Sequence, residues 1–357
     1  MTAPAPDATR PLDEHLLEAT TGTLELFGIY LGDRLGLYRA LRTAGAVTPD
    51  ELGATAGIAP RYAREWLEQQ AVAGVLEVEG TDGDRRFRLP EAHAGILADP
   101  TSIDHMAPFS RMLVGIARVL DEVAAAYRTG NGVPYVRYGA DFRSGQGDIN
   151  RPVFSTALVD EWLPALAGGE IARRLADGGR VADLGCGQGW SSIAVARAFP
   201  QAEVWGIDGD VASIEDARER ARAAGVAVRF EAVDAAEIAA EGPFDAVLCL
   251  EMLHDLARPV EILAAARTAL ADGGAVLVAD EAVAPGFTAP GDQLERMMYG
   301  WSIVHCLPAS MAEQPSAAIG TVIREDTVRA LAAEAGFSSV DVLPVDGGFF
   351  RLYELRV

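Results

Sequence analysis

Two stretches of this chain combine residue types and spacings suited to chemistry. The first is Asp183-Leu184-Gly185-Cys186-Gly187-Gln188-Gly189, set between a short apolar run and an apolar helix-like segment. Glycines in that position let the backbone turn tightly and approach a ligand with no side chain in the way. Asp183, two residues ahead of Gly185, offers a carboxylate to a cationic amine. Further acids close the next two strand-like runs. Asp208 stands 19 residues beyond Gly189, a distance that suits a ribose diol, and Asp234, followed by Ala235, is placed to accept from the exocyclic amine of adenine. The second stretch is Cys249-Leu250-Glu251-Met252-Leu253-His254-Asp255. An imidazole titrates near neutral pH, so His254 can take the proton of a hydroxyl nucleophile held at the same sheet edge.

Periodicity outlines the elements that must position these residues. From Gly179 onward strand-like and helix-like segments alternate, with strands expected over 180–184, 203–207, 226–230, 244–248 and 275–279. That alternation predicts a parallel sheet covered by helices on both faces. The end differs: a helix over 327–335 precedes strands over 340–344 and 349–357, which should pair antiparallel as a hairpin at one sheet edge. Near the start, Leu24, Phe27, Leu31, Leu35, Tyr38 and Leu41 recur at helical steps, with a break expected at Gly32-Asp33. Thr48-Pro49-Asp50-Glu51 opens a capped helix, a second helix is expected over 61–73, and 75–78 with 86–89 reads as a small hairpin, the wing of a winged helix. Between these parts the pattern is helical, interrupted over 129–148 by a glycine- and tyrosine-rich stretch that reads as loop. The expected organisation is a disordered tail over 1–10, a winged-helix domain over 11–98, a helical linker and lid over 99–177, and a ligand-binding α/β domain over 178–357.

A bare G-x-G-x-G serves nicotinamide dinucleotides, flavins and S-adenosylmethionine alike. Here the third glycine of the pyrophosphate fingerprint is missing, since Trp190 and Ser191 follow Gly189. With Asp183, Gly185, Gly187 and Gly189 matching D-x-G-x-G-x-G, residues 180–282 resemble the class I S-adenosylmethionine-dependent methyltransferases. The winged helix, the segment from Pro134-Tyr135 to Phe142, the run from Met297 to Pro308 and the closing Phe349-Phe350-Arg351-Leu352-Tyr353 extend the resemblance over essentially the whole chain, to a bacterial small-molecule subgroup with a winged-helix dimerisation domain. The resemblance implies a Rossmann-like, seven-stranded sheet with its last strand antiparallel, and a homodimer formed through the N-terminal domain. It implies that Gly185 and Gly187 line the methionine end of S-adenosylmethionine, Asp208 the ribose, Asp234 and Ala235 the adenine, and Leu250 a backbone contact. It also implies that S-adenosylhomocysteine is the product and that His254 is the general base. The chain departs from the subgroup before Phe349-Phe350, where Gly347-Gly348 replaces polar residues and removes or moves a substrate contact.

Tyr135, Tyr138, Phe142, Trp162, Tyr299, Trp301 and Phe350 are expected to wall an apolar pocket for an aromatic or extended small molecule, or else to be ordinary interdomain core. His305, on the expected lid, is the second catalytic candidate; the alternative is a metal site of His254, His305 and a carboxylate such as Asp255, although no metal is expected. The expected function is methyl transfer to a small acceptor, at a hydroxyl oxygen, in secondary metabolism. The alternatives are the same fold using the cofactor for C-methylation, decarboxylation or cyclisation, and a winged-helix ligand-sensing regulator. Charge disfavours the regulator: the net charge is -22, and the second helix, Arg61 to Glu68, carries two acids for its two bases. The expectation is no nucleic-acid and no membrane partner. Cys186, Cys249 and Cys306 form no CxxC pair and suit a reducing, cytoplasmic setting.

Overall fold

A computed structural model describes residues 11–81 and 83–357, so the tail over 1–10 and Asp82 of the wing lie outside the described residues. The described chain forms two compact units, one of residues 11–117 with 140–152 and the other of 118–139 with 153–357.

In the first unit the apolar steps near the start become α1 (Leu12–Arg34) and α2 (Leu37–Ala44). The break falls at Gly36, which takes a left-handed φ of 70°, and not at Gly32-Asp33 as expected. Gly32 stays helical and serves packing: a Cβ there would lie 2.4 Å from the Tyr38 ring and 2.7 Å from the Trp66 ring. Asp33 caps nothing and pairs instead with Arg111 at 2.8 Å, which also holds Asp148 at 3.0 Å. Thr48 and Glu51 form a reciprocal capping box at the start of α3 (Pro49–Ala56), satisfying two otherwise orphaned N–H groups. Next come α4 (Pro60–Val72) and the antiparallel pair β1 (Glu77–Glu79) and β2 (Arg86–Arg88), which complete a winged helix around Leu37, Tyr38, Leu41, Leu52, Leu67 and Phe87.

The stretch over 129–148 departs from its loop expectation. A 3-10 turn, Tyr135–Tyr138, leads into an α-helix, Gly139–Ser155. Glycine weakens helices, but here close packing prevails. Gly145 lies where a Cβ would come within 2.8 Å of the Pro108 carbonyl oxygen and of Met112.

The second unit is built on a seven-stranded sheet of β3 (Arg180–Leu184), β4 (Glu203–Ile207), β5 (Arg229–Glu231), β6 (Phe244–Leu250), β7 (Leu270–Glu281), β8 (Ser339–Val342) and β9 (Phe350–Arg356), in the order β5-β4-β3-β6-β7-β9-β8. The first five run parallel, and β9 lies antiparallel between β7 and β8, as the terminal hairpin predicted. Strand order reverses between β3 and β6, so their carboxyl ends flank the crevice where open α/β sheets bind ligands. Val276, Val278 and Tyr353 face one buried layer, and Leu248, Leu277 and Leu352 face the other, so the sheet is covered on both sides. β7 is longer than the expected 275–279, and its extra residues carry Asp280 and Glu281 to the carboxyl edge.

The packing at Gly32 yields a stability test. Gly32→Ala gains helix propensity yet forces a methyl into two aromatic rings, and overpacking of this kind costs about 1–3 kcal/mol. Thermal unfolding followed by circular dichroism should show a melting temperature lowered by several degrees. An unchanged or raised midpoint would remove Gly32 from the packing.

Candidate active site

The glycine loop joins β3 to the helix Trp190–Ala198. Gly189 has a φ of 78°, and a Cβ on it would meet the Phe230 ring at 2.7 Å and Ala217 at 2.9 Å, so this glycine lets the loop lie against its own domain. Gly187, with a φ of 51°, has nothing within 4 Å of a Cβ position and faces open space. Its N–H donates to Asp208 Oδ2 at 2.8 Å, and Asp208 Oδ1 accepts from the Asp210 N–H at 2.7 Å. Burial raises the Asp208 carboxyl above the usual range, an effect these two N–H donors oppose. The donor set fits a nucleoside ligand: an open glycine backbone, with carboxylates fixed at the ends of successive strands.

Asp183 is turned inward. Its Oδ2 accepts from the hydroxyls of Ser191 at 2.5 Å and Ser192 at 2.6 Å, tying β3 to the first turn of the following helix. Burial pushes its carboxyl up to about 6 against the lowering effect of the two serines. Asp234 caps the 3-10 turn Ala235–Ala240 by accepting from the Ala236 N–H at 2.9 Å, while its other oxygen accepts from Arg258 at 2.6 Å. Leu250 ends β6 and is buried, and Glu251 beyond it adopts a left-handed φ of 52°. Sparsely populated conformations of this kind on a non-glycine residue concentrate at functional sites.

His254 follows on the 3-10 turn Leu253–Asp255 and is 2% exposed. Its Nδ1–H donates to Asp280 Oδ1 at 2.5 Å, Glu281 Oε2 lies 3.3 Å from the same nitrogen, and Asp255 Oδ1 lies 3.3 Å from Nε2. Burial alone would push the imidazole pKa down, but Glu281, Asp280 and Asp255 outweigh it and hold the ring well above the usual histidine range. Burial raises Glu281 strongly, while the imidazole keeps Asp280 low in spite of its burial. The set therefore reads as an imidazolium beside the Asp280 carboxylate, with Glu281 protonated. Neither acid was singled out from sequence, where the strand was ended at Ala279. The available signal was an acid pair directly after an apolar strand, the same placement as Asp208.

His305 occupies a π-helical turn, Ser302–Cys306, whose irregular backbone presents the Ile303 and Val304 carbonyls to the hydroxyls of Tyr127 at 2.9 Å and Tyr138 at 3.0 Å. Its ring meets Tyr138 edge-on at 4.6 Å and Tyr135 at 5.9 Å, so these three residues are brought together. Burial pushes His305 down to about 4, leaving it neutral. Trp162 is fully buried in the core with edge contacts to Phe154 and Phe350 at 6.3 and 6.0 Å, apart from that cluster. Tyr299 contacts Phe287 at 6.4 Å, and Trp301 ends the helix Gln293–Trp301. Phe142 is buried and belongs to the first unit. Among the described residues, the groups whose ligating atoms approach within 4.8 Å are His254 with Asp280 and Glu281, and His254 with Asp255 and Cys306. Neither contains His305, so the alternative metal site of His254, His305 and Asp255 does not form among the described residues. At 2.5 Å the contact from His254 to Asp280 is itself a hydrogen bond, shorter than the separation of two ligands on one ion.

Residues 175–336 match the family described as methyltransferase domain, and residues 23–99 match the Rv2258c-like winged HTH domain. The chain thus contains a methyltransferase domain. A ubiquinone biosynthesis O-methyltransferase of Bordetella avium is 38% identical over 116 residues, which are 32% of this chain and 45% of that protein. The chain thus spans about half the length of the curated relatives it matches. Among solved structures, an O-methyltransferase family protein from Burkholderia thailandensis superposes with a TM-score of 0.70 at 18% identity over 98% of both chains. Human N-acetylserotonin methyltransferase, crystallised in complex with SAM, gives 0.69 at 17% identity over 98% of this chain and 99% of that one. Both share the fold, an α/β methyltransferase domain behind a helical winged-helix domain.

The neutral His305 makes stability depend on pH in a defined direction. The unfolded histidine takes a proton near pH 6.5. The folded one refuses it until about 4, so this group's contribution is present above 6.5 and is lost as pH falls towards 4. Urea unfolding at pH 7 and pH 4.5 should show the wild type losing about 2 kcal/mol more than His305→Phe. Equal losses would mean that His305 titrates normally in the fold.

Proposed function

We propose that this protein transfers a methyl group from S-adenosylmethionine to the hydroxyl oxygen of a small aromatic or apolar molecule in secondary metabolism, with His254 as general base. The observation that carries the reading is a buried imidazole, clamped through Nδ1 by Asp280 at the carboxyl end of the sheet, one strand from the open glycine loop. Bound S-adenosylmethionine supplies an electrophilic methyl group on a sulfonium whose sulfur keeps the bonding electron pair. Gly185, Gly187 and Leu250 line its methionine and backbone contacts, Asp208 holds the ribose, and Asp234 with Ala235 meets the adenine. Asp183 acts one step back by fixing the loop through Ser191 and Ser192. His254 takes the acceptor's proton at Nε2 while Asp280 holds Nδ1–H, and the Asp280 and Asp255 carboxylates stabilise the positive charge that then rests on the ring.

The edge-on contacts of His305 with Tyr135 and Tyr138 support an aromatic-lined lid, with a neutral His305 as hydrogen-bond partner for the acceptor and Tyr299 and Trp301 as further walls. The names of the O-methyltransferase relatives support oxygen as the acceptor atom. A homodimer through the first unit is supported by exposed apolar residues along α1, among them Leu16, Leu24, Phe27 and Leu31. On α4, Arg61 pairs with Glu65 of its own helix, which supports a role for the winged helix other than nucleic-acid binding. Among the described residues no helix is long and apolar enough to cross a membrane. Three unpaired, buried cysteines support a reducing, cytoplasmic setting.

The test is methyl transfer from labelled cofactor to a panel of phenols, with cofactor binding followed by calorimetry. Asp208→Ala should weaken binding of S-adenosylhomocysteine while the fold persists. His254→Ala should bind it normally and lose about 10²–10⁴ in turnover. Because His254 must be unprotonated to act, kcat/KM should rise with pH through a pKa above the ordinary histidine value. Wild-type turnover in His254→Ala would remove the base, and no binding of either cofactor form would remove the reading.

A further inference from the structure

A base buried as completely as His254 has to lose a proton in every cycle. Resting on the methyl-transfer reading, the balance is plain: the acceptor oxygen gains a methyl group, sulfur regains an electron pair, and the acceptor's proton is left on Nε2 of His254. That proton must reach water before the next turnover. Around the ring, Asp280 is 1% exposed, Glu281 4%, Cys306 6% and His305 2%. Asp280 and Glu281 both face Nδ1, the wrong nitrogen for the outgoing proton. Burial keeps the Cys306 thiol protonated, pushed up to about 12, so it takes no proton from the ring.

Asp255 differs from all of these. Its Oδ1 lies 3.3 Å from Nε2 and is buried without a hydrogen bond, yet its side chain as a whole is 23% exposed. The same carboxylate therefore spans from the reacting nitrogen to the solvent side. The adjacency of Asp255 to His254 does not by itself bring them together, since neighbours in sequence often point apart; the tight 3-10 turn Leu253–Asp255 holds both side chains on one side.

We propose that Asp255 is the proton exit of the site: Nε2–H of His254 passes its proton to Asp255 Oδ1, rotation about Cβ–Cγ turns the protonated oxygen outward, and the carboxyl group releases the proton to water. Asp280 holds the ring and Asp255 empties it, so the two flanking acids have separate roles at the two nitrogens. No redox partner or co-reactant is required, because one proton enters from the acceptor and one leaves to solvent.

The exit can be measured without knowing the acceptor. In protein labelled with ¹⁵N-histidine and saturated with S-adenosylhomocysteine, with the His254 signals assigned by their loss in His254→Gln, the exchange of Nε2–H with water is followed by NMR. Asp255→Asn preserves shape and cannot accept the proton, so exchange should slow at least tenfold. Asp255→Glu should recover most of the rate. An exchange rate in Asp255→Asn within twofold of wild type overturns the proposal, and so does a slowed rate that the glutamate variant fails to recover, since that is a packing effect. These outcomes are distinct from failure of the methyl-transfer reading, which shows as lost cofactor binding or as turnover indifferent to His254→Ala.

Discussion

The contact between His254 and Asp280 joins two strands' ends and settles the charge of the whole crevice. It is a short hydrogen bond between groups almost without solvent. An isolated carboxylate or imidazolium in such a place would neutralise itself, because desolvation disfavours the charged form. Together, Asp280 stays low and His254 stays high, each charge compensating the other. Removing one partner of a buried pair leaves the other stranded, typically at about 3–5 kcal/mol. The extension of β7 to Glu281, the turn at Leu253–Asp255 and the left-handed Glu251 all serve to bring these two side chains to one point.

Topology does the rest of the positioning. The reversal of strand order between β3 and β6 opens one crevice, and the loop after β3 and the turn after β6 are its two lips. Gly189 presses the first lip down against Phe230, while Gly187 leaves its upper surface bare. The two glycines, two residues apart, thus do opposite work: one makes room for the protein and the other for a ligand.

Much of this was legible in the sequence, because the relevant signals were local. Alternating apolar runs give a parallel sheet, the terminal hairpin gives its antiparallel edge, and Thr48 with Glu51 gives a helix start that the capping box realises. Signals that depended on tertiary contact were misread. Gly32 looked like a helix break and is a packing site under Tyr38 and Trp66, and the glycines over 139–148 looked like loop and lie in a helix because Gly145 packs against Pro108 and Met112. Asp280 and Glu281 were missed for a simpler reason. Their strand was ended where its apolar run ends, although at a carboxyl edge the polar residue after the run is the informative one.

That rule has a wider bearing on the site. Asp183, Asp208 and Asp280 each stand at the carboxyl end of a strand or immediately after one, Asp234 caps the turn that follows β5, and Glu281 and Asp255 belong to the same edge. Like charges gathered at one edge repel, and each is compensated by a different device. Serine hydroxyls serve Asp183, backbone N–H groups serve Asp208, Arg258 serves Asp234 and the imidazole serves Asp280. Every device is a donor, and none except Arg258 and the imidazole brings a full positive charge. The crevice therefore retains a negative field, which is the right environment for a cationic donor before transfer and for a protonated histidine after it. Moving one positive charge from sulfur to imidazole within the same field costs little in electrostatic energy, because the surrounding carboxylates need not reorganise.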